Sequence, residues 1–255
     1  MANPRDGEAA SDLLSSGGPG RGGSGGDLGR NSGDDGGLRV RVGSLVDRTE
    51  GAEGPGARFV LWTQGCTLGC PGCCNPHLWS AEGGELWTVE ALLERVAAAQ
   101  ARYPDLEGVT LVGGEPFEQD APLAAFAAGC RARGLTVMGF SGYTLGELRA
   151  RGAALLEHLD LLVDGRFEQA ARTTTRRWIG STNQGLHHLS DAYAADDPRF
   201  REPNHAEMRL NGRGELQVVG FPFDSVRHAF GPASALAKDA RRGRRLPGAG
   251  SAEAV

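Results

Sequence analysis

What this chain lacks narrows it before any motif is considered. Nowhere do 18 apolar residues run together, so the sequence holds no candidate membrane-spanning helix. Its first 37 residues contain no aromatic and no apolar stretch of the kind that forms a secretory signal. There is no HExxH helix, no P-loop lysine motif and no Ser/His/Asp constellation. Residues 38–230 carry a net charge of -5, hence no basic bias, and nucleic acid is not an expected partner.

Glycine is what the chain has in excess, with 40 of 255 residues, 12 of them in residues 1–37. That Gly/Ser-rich segment cannot bury enough apolar area to offset its chain entropy and is expected to be disordered. Gly20-Arg-Gly-Gly-Ser-Gly25 matches the dinucleotide pattern G-x-G-x-x-G, but no strand pattern precedes it and no helix pattern follows it. Residues 223–255 form a low-complexity basic tail, and Arg241, Arg242, Arg244 and Arg245 within it are expected to be a solvated charge run. Between the tails, residues 38–222 are long enough for one well-buried domain.

Five cysteines are present, four of them within residues 66–74. This is not the spacing of a secreted disulfide framework, and it implies a reducing cytoplasm. Cys66, Cys70 and Cys73 are spaced C-x3-C-x2-C in one short loop, interleaved by Gly65, Gly69 and Gly72. Three thiolates can hold three irons of a [4Fe–4S] cube and leave the fourth without a protein ligand, whereas electron-carrying cubes are closed by four cysteines. Glycine lets such a loop turn its main-chain N–H groups toward the sulfurs. The competing reading is a zinc site, which wants four ligands and finds its fourth thiol only in adjacent Cys74. Cys74 itself lines the ligand pocket through its backbone, is a fourth sulfur nearby, or is a passive small residue. Cys130 falls on the apolar stripe of a helix and is expected to be a buried core thiol.

The rest of the core alternates strand and helix. Residues 38–46 and 58–63 read as strands, the second running straight into the cysteine loop. Thr88 caps a helix over 89–103, and 109–112 is a buried strand ending at Gly113-Gly-Glu-Pro116. A helix over 119–133 carries Leu123, Phe126, Ala127 and Cys130 on one face, and strand 135–140 ends at Ser141-Gly-Tyr143. Thr144-Leu-Gly-Glu147 is a capping box opening a helix to about 151, and strand 159–163 ends at Asp164-Gly165. Residues 207–211 and 215–219 suggest a hairpin. The expected fold is α/β with a mainly parallel sheet, whose ligands bind at the C-terminal strand ends. The cysteine loop, GGEP, FSGY and VDG all stand at such ends and should converge on one edge.

Each of these patches has a plain alternative. The two glycines of GGEP would let the backbone approach a ligand and Glu115 would face a cationic group, or the four residues are a turn with Pro116 opening a helix. Ser141 and Asp164 would hold a ribose or an amino-acid head, or serve as caps. His187 and His188 are expected to be exposed loop residues, and Arg172, Arg176 and Arg177 a solvated basic loop.

The runs TQGCTLGCPGCCNPHLW, GGEP, FSGYTLGEL, DLLVDGRFE and RRWIGSTNQG resemble the radical S-adenosylmethionine (SAM) enzymes, and among them the activators of anaerobic ribonucleoside-triphosphate reductase. The resemblance spans roughly residues 38–222 and implies a partial (β/α) barrel of the radical SAM type. It implies that Cys66, Cys70 and Cys73 bind a [4Fe–4S] cluster with SAM on the open iron. It further implies that Gly72, Cys73 and Cys74 border SAM, and that Gly113, Gly114 and Glu115, with Pro116 closing the turn, meet its amino group. Many radical SAM proteins have an aromatic residue where this chain has Gly72, and the reductase activators often have one where it has Cys74. The implied activity is reductive SAM cleavage to a 5′-deoxyadenosyl radical that makes a glycyl radical on a partner enzyme, with a flavodoxin- or ferredoxin-type reductant. Two other functions stand beside it. A radical SAM enzyme acting on a peptide or small metabolite would often carry further C-terminal cysteines, and none follows Cys130. A non-catalytic metal-binding interaction module would hold zinc.

Overall fold

The structure, a computed structural model, describes residues 37–210 and 216–221. The two expected tails lie outside these spans except for Gly37, as do the residues joining the C-terminal hairpin. No helix among the described residues is long and apolar enough to cross a membrane.

Among the described residues, nine strands form two sheets. β1 (Arg39–Glu50), β2 (Ala57–Thr63), β3 (Glu85–Thr88), β4 (Leu106–Gly113), β5 (Thr136–Phe140), β6 (Leu161–Asp164) and β7 (Gly185–His188) make one sheet in the order β3-β1-β2-β4-β5-β6-β7. Its four central strands, β2, β4, β5 and β6, run parallel, and antiparallel neighbours flank them on both sides. β8 (Ala206–Leu210) and β9 (Leu216–Gly220) pair as the separate hairpin that the alternating pattern suggests.

The crossovers explain the parallel centre. α1 (Val89–Arg102) begins at Thr88, whose hydroxyl accepts the Ala91 N–H at 3.1 Å. α2 (Asp120–Arg131) buries Leu123, Phe126, Ala127 and Cys130 against the sheet. α3 (Leu145–Ala150) opens with the full Thr144/Glu147 capping box. Helices α1 and α2 cover one sheet face, where Phe59, Leu61, Val109, Leu111, Val137 and Leu162 meet them. The opposite face carries Val60, Trp62, Met138, Leu161 and Val163, under the loop after β1 and the chain beyond β6. Every residue of β2 is buried, as expected of a strand covered on both faces.

One polar residue sits deep in that second face. Arg58 is fully buried and donates to Thr110 Oγ1 (2.7 Å), Val109 O (2.6 Å), Thr136 Oγ1 (3.1 Å), Tyr193 Oη (3.1 Å) and Pro55 O (3.3 Å). Burial pulls its pKa down, and Tyr193 beside it offsets part of that. Thr110 in turn donates to Glu53 O at 2.7 Å, so this guanidinium pins the β1–β2 loop over the sheet.

The pattern missed two strands. β3 and β7 are four residues each, too short to show periodicity, and exist because β1 and β6 supply their hydrogen bonds. His187 and His188 therefore stand on an edge strand, not in a loop, with His188 4.9 Å from the Phe200 ring. Arg177 is likewise not solvated. It is 6 % exposed and donates to Pro203 O (2.7 Å) and Gly51 O (3.0 Å).

Replacing Arg58 with methionine leaves Thr110, Thr136 and Tyr193 without their shared partner. The change should cost about 3 kcal/mol of stability or more, measured as a shift in the urea midpoint at unchanged slope.

Candidate functional site

The four patches read from the sequence do stand together at the C-terminal edge of the parallel strands. β2 ends at Thr63 and the cysteine loop follows. The loop is held at its base by Gly65 N–H to Leu78 O (2.8 Å) and Cys66 N–H to Trp79 O (3.0 Å). Inside it, Cys73 N–H closes a turn on Cys70 O at 3.1 Å, and Asn75 N–H points at Cys73 Sγ at 3.3 Å. Glu118, in the turn after GGEP, takes the Thr67 N–H on both oxygens (3.1 Å each) and the Thr67 hydroxyl (2.5 Å). The middle of the loop is thus latched from outside.

Gly69 and Gly72 adopt φ of +58° and +76°, where a side chain is strained. At Gly72 a Cβ would also touch the Gln169 carboxamide, which would have to give way.

All five described cysteines are free thiols, and only Cys130 is fully buried. Burial pushes the Cys66 thiol up, while the Leu68 and Gly69 N–H groups directed at it act the other way. Burial does the same at Cys70, where the Phe167 N–H opposes it. Main-chain donors therefore surround these sulfurs, the arrangement that stabilises metal-bound thiolates. Among the described residues no three His, Cys, Asp or Glu side chains converge on a point where one metal ion would sit. Cys130 has its thiol pushed up to about 12 by burial, as a core residue would.

The GGEP turn abuts the loop. Gly114 N–H donates to Thr63 O (2.8 Å) and Glu115 N–H to Gly65 O (2.9 Å). A Cβ at Gly114 would collide with Gly65 O. Glu115 is 1 % exposed, and its carboxylate is already engaged. Oε1 accepts from Phe117 N–H (3.0 Å) and Ser141 Oγ–H (3.0 Å), and Oε2 accepts from Gly142 N–H (2.8 Å). Burial raises its pKa to about 7 against those three donors. Ser141 is accordingly a link between the ends of β4 and β5. Pro116 is buried and opens a short 3-10 turn. Asp164 accepts from Leu145 N–H (2.6 Å) and Gly185 N–H (3.2 Å) and lies 2.9 Å from His187 Nε2.

A cavity of about 230 Å³ opens among these patches. Cys66, Cys70, Cys73, Cys74, Gly113, Gly114, Glu115 and Ser141 all line it, while Gly72, Pro116 and Asp164 do not. Sequence reasoning missed several of its walls, among them Glu53, Trp62, Phe140 and Trp178. Glu53 is 8 % exposed, takes the Gly220 N–H on Oε1 (2.8 Å) and is pushed up to about 7 by burial. Its signal was an acid inside the Gly/Pro-rich turn before an apolar strand. Trp178 carried no signal. It holds φ of +56°, the one positive φ of a non-glycine among the described residues, fixed by Trp178 Nε1–H to Gly51 O at 2.9 Å.

A parallel-centred α/β sheet that gathers four thiols, a glycine turn and a buried carboxyl at one cavity defines an iron–sulfur protein with room for a ligand beside its cluster. Comparison with known proteins agrees. Residues 52–187 match the family model described as a 4Fe-4S single cluster domain. Anaerobic ribonucleoside-triphosphate reductase-activating protein of Salmonella typhimurium is 33% identical over 142 residues, covering 53% of this chain and 91% of that protein. The Escherichia coli K12 protein of that name is 32% identical over 142 residues, covering 53% and 91%, and that of Enterobacteria phage T4 is 30% identical over 137, covering 52% and 85%. Among solved structures, QueE from Escherichia coli aligns over 45% of this chain and 58% of its own, with a TM-score of 0.35 and 21% identity. The chain belongs to the family of anaerobic ribonucleoside-triphosphate reductase-activating proteins and carries its 4Fe-4S domain.

Two predictions follow from the carboxylates. Folding favours the neutral form of Glu115, so a proton is taken up between its ordinary value of 4.5 and about 7. The stability tied to that proton is complete below pH 4.5 and is lost as pH rises through 7. Glu115→Gln should flatten this slope in urea titrations of the cluster-free protein. Glu118→Ala should release Thr67 and cut cluster retention about tenfold, read from the decay of cluster absorbance against a chelator.

Proposed function

We propose that this protein is a radical SAM activase that installs a glycyl radical on an anaerobic ribonucleotide reductase. The observation that carries the reading is the cavity itself, where Cys66, Cys70 and Cys73 from one loop meet the Gly113–Glu115 turn and Ser141. Cys66, Cys70 and Cys73 would hold the cluster. Cys74 then shares the cavity without being needed as a ligand. A cluster held there would supply the single electron for reductive cleavage of SAM to methionine and a 5′-deoxyadenosyl radical, whose chemistry would be hydrogen-atom abstraction from the partner's glycine.

The chain's own residues do the holding. The loop's inward N–H groups favour the thiolate form of its cysteines. Gly113 and Gly114 bring main chain against Thr63 and Gly65, leaving the turn flat where a ligand's amino group would lie. Glu115 has three donors already, so its contribution to a cation is mainly its charge. A cation placed beside it would favour release of the proton that burial retains. Trp62, Phe140 and Trp178 supply apolar walls that exclude water from a reactive species. Gly72 and Cys74 leave those two positions of the cysteine loop without an aromatic, and Phe167 and Phe221, 6.2 Å apart, are among the rings that line the cavity.

We read the sheet, open between its edge strands β3 and β7, as a partial (β/α) barrel whose opening would admit a protein segment. The cytoplasm, a flavodoxin- or ferredoxin-type reductant, and no role for nucleic acid or membrane complete the proposal.

The test is anaerobic reconstitution with iron and sulfide. Cys66→Ala, Cys70→Ala or Cys73→Ala should each cut reductive methionine release from SAM at least about 100-fold, while Cys74→Ala retains it. Adding the reductase should give a glycyl radical signal by electron paramagnetic resonance. Methionine release without that signal would favour a peptide or small-molecule substrate, and zinc in place of a cluster would sink the reading.

A further inference from the structure

The β8–β9 hairpin stands apart from the sheet that carries the site. It lies beyond residue 187, where the match to the 4Fe-4S domain ends. Among the described residues, neither of its strands pairs with the main sheet. Its end nevertheless reaches the cavity, where Val218, Gly220 and Phe221 form one wall. Buried Val219 packs with Ala52 and Trp62. The Phe221 ring lies 6.2 Å from that of Phe167, and the Arg172 Cζ lies 4.7 Å from its centroid.

Side-chain bonds hold the hairpin there. Gly220 N–H donates to Glu53 Oε1 at 2.8 Å, and Glu50 N–H donates to Glu207 Oε1 at 2.5 Å. Asn204 Oδ1 accepts the Trp178 N–H at 2.5 Å, and His205 Nε2 lies 3.0 Å from Glu50 O. A segment latched by such separate bonds opens at lower free energy than a strand inside a sheet.

The seated end has the chemical form of the substrate in the activase reading, a polypeptide that presents a glycine. Gly220 is a glycine at the end of a strand, with its N–H on a buried carboxyl at the cavity wall. Its place suits no other residue. The φ is +95°, and a Cβ would meet His205 O at 2.7 Å and the Ala52 Cβ at 3.0 Å. Room is the second constraint. The cavity measures about 230 Å³, below the ~300–1,000 Å³ usual for one small ligand. With a cluster and a cofactor inside, a protein segment enters only if a wall withdraws. The cysteine loop, the Gly113–Glu115 turn and Ser141 are bonded to one another at the strand ends, so the wall able to withdraw is the end of β9.

We propose that Val218–Phe221 is an intramolecular stand-in, seated where the partner's glycine segment enters the cavity and displaced by that segment on binding. The inference rests on the activase reading and adds where the target enters. Unseating the strap lowers the partner's apparent affinity by the fraction of molecules in which the seat is open. Loosening a latch therefore tightens partner binding, whereas loosening a permanent wall does not.

The reconstituted full chain is compared with three variants. Glu207→Ala removes the acceptor for Glu50 N–H, Glu207→Gln retains one, and Met208→Ser changes an exposed position of the same strand. Neither position lines the cavity. Hydrogen exchange at the Glu50 and Gly220 amides is followed with and without saturating anaerobic ribonucleotide reductase, whose affinity is measured by titration. In the wild type, bound reductase should speed exchange at both amides about tenfold or more. Glu207→Ala should speed exchange at Gly220 without any partner and bind the reductase about fivefold more tightly. Glu207→Gln and Met208→Ser should stay close to wild type, and partner-free methionine release should be the same in all four proteins.

Exchange at Gly220 that is unchanged or slower with reductase bound overturns the proposal. So does a Glu207→Ala variant with unchanged exchange at Gly220, or with no gain in affinity. A change in partner-free methionine release confined to Glu207→Ala also overturns it, because the latch then acts on the cofactor site. A wild type that leaves no glycyl radical on the reductase sinks the activase reading, and the proposal with it.

Discussion

The hydrogen-bond ladder between β2 and β4 does not stop where the strands stop. Gly114 N–H reaches Thr63 O and Glu115 N–H reaches Gly65 O, so the parallel pairing runs on into the cysteine loop on one side and the glycine turn on the other. This places two irregular segments at main-chain contact distance, which only glycine at 113, 114 and 65 permits. Everything at the site is arranged from there. The Glu115 carboxylate, carried in by the turn, collects the Ser141 hydroxyl and the Gly142 N–H and draws the end of β5 into the same cavity wall.

A site of this kind needs a rigid floor, and the floor is polar. Arg58 binds groups from β4, β5 and the segment beyond β7 and, among the described residues, has no carboxylate in direct contact, which makes it a fastener satisfied chiefly by carbonyls and hydroxyls. Such a network specifies one arrangement, because any shift leaves a buried charge underbonded. Through Thr110 it also fixes the backbone of Glu53, so the far wall of the cavity and the sheet beneath it move as one piece.

The strongly periodic elements were legible from residues alone. Thr88 and the Thr144/Glu147 box mark helix starts by local chemistry, and the stripe on α2 marks its buried face, so each appears where the pattern puts it. The strand-end positions of the cysteine loop, GGEP, FSGY and VDG followed from the alternation. What was not legible depends on partners distant in sequence. β3 and β7 are strands only because β1 and β6 lie beside them, and Arg177 is buried only because the chain returns at Pro203 and Gly51. Asp164 shows the limit well. Its place at a strand end was readable, but its use as an acceptor for Leu145 and Gly185 was not.

By itself, the sequence set out the candidate ligands, because three thiols and their glycines within one short loop need no distant partner to define their spacing. It also determined which strand ends carry unusual residues. Only the tertiary structure decided which of those residues face the cavity. It brought in Glu53, Trp62, Phe140 and Trp178, left Asp164 outside, and seated the end of β9 on Glu53. The physical reason is that loop spacing is set by covalent geometry, whereas a cavity wall is set by which faces of separate elements happen to be packed together.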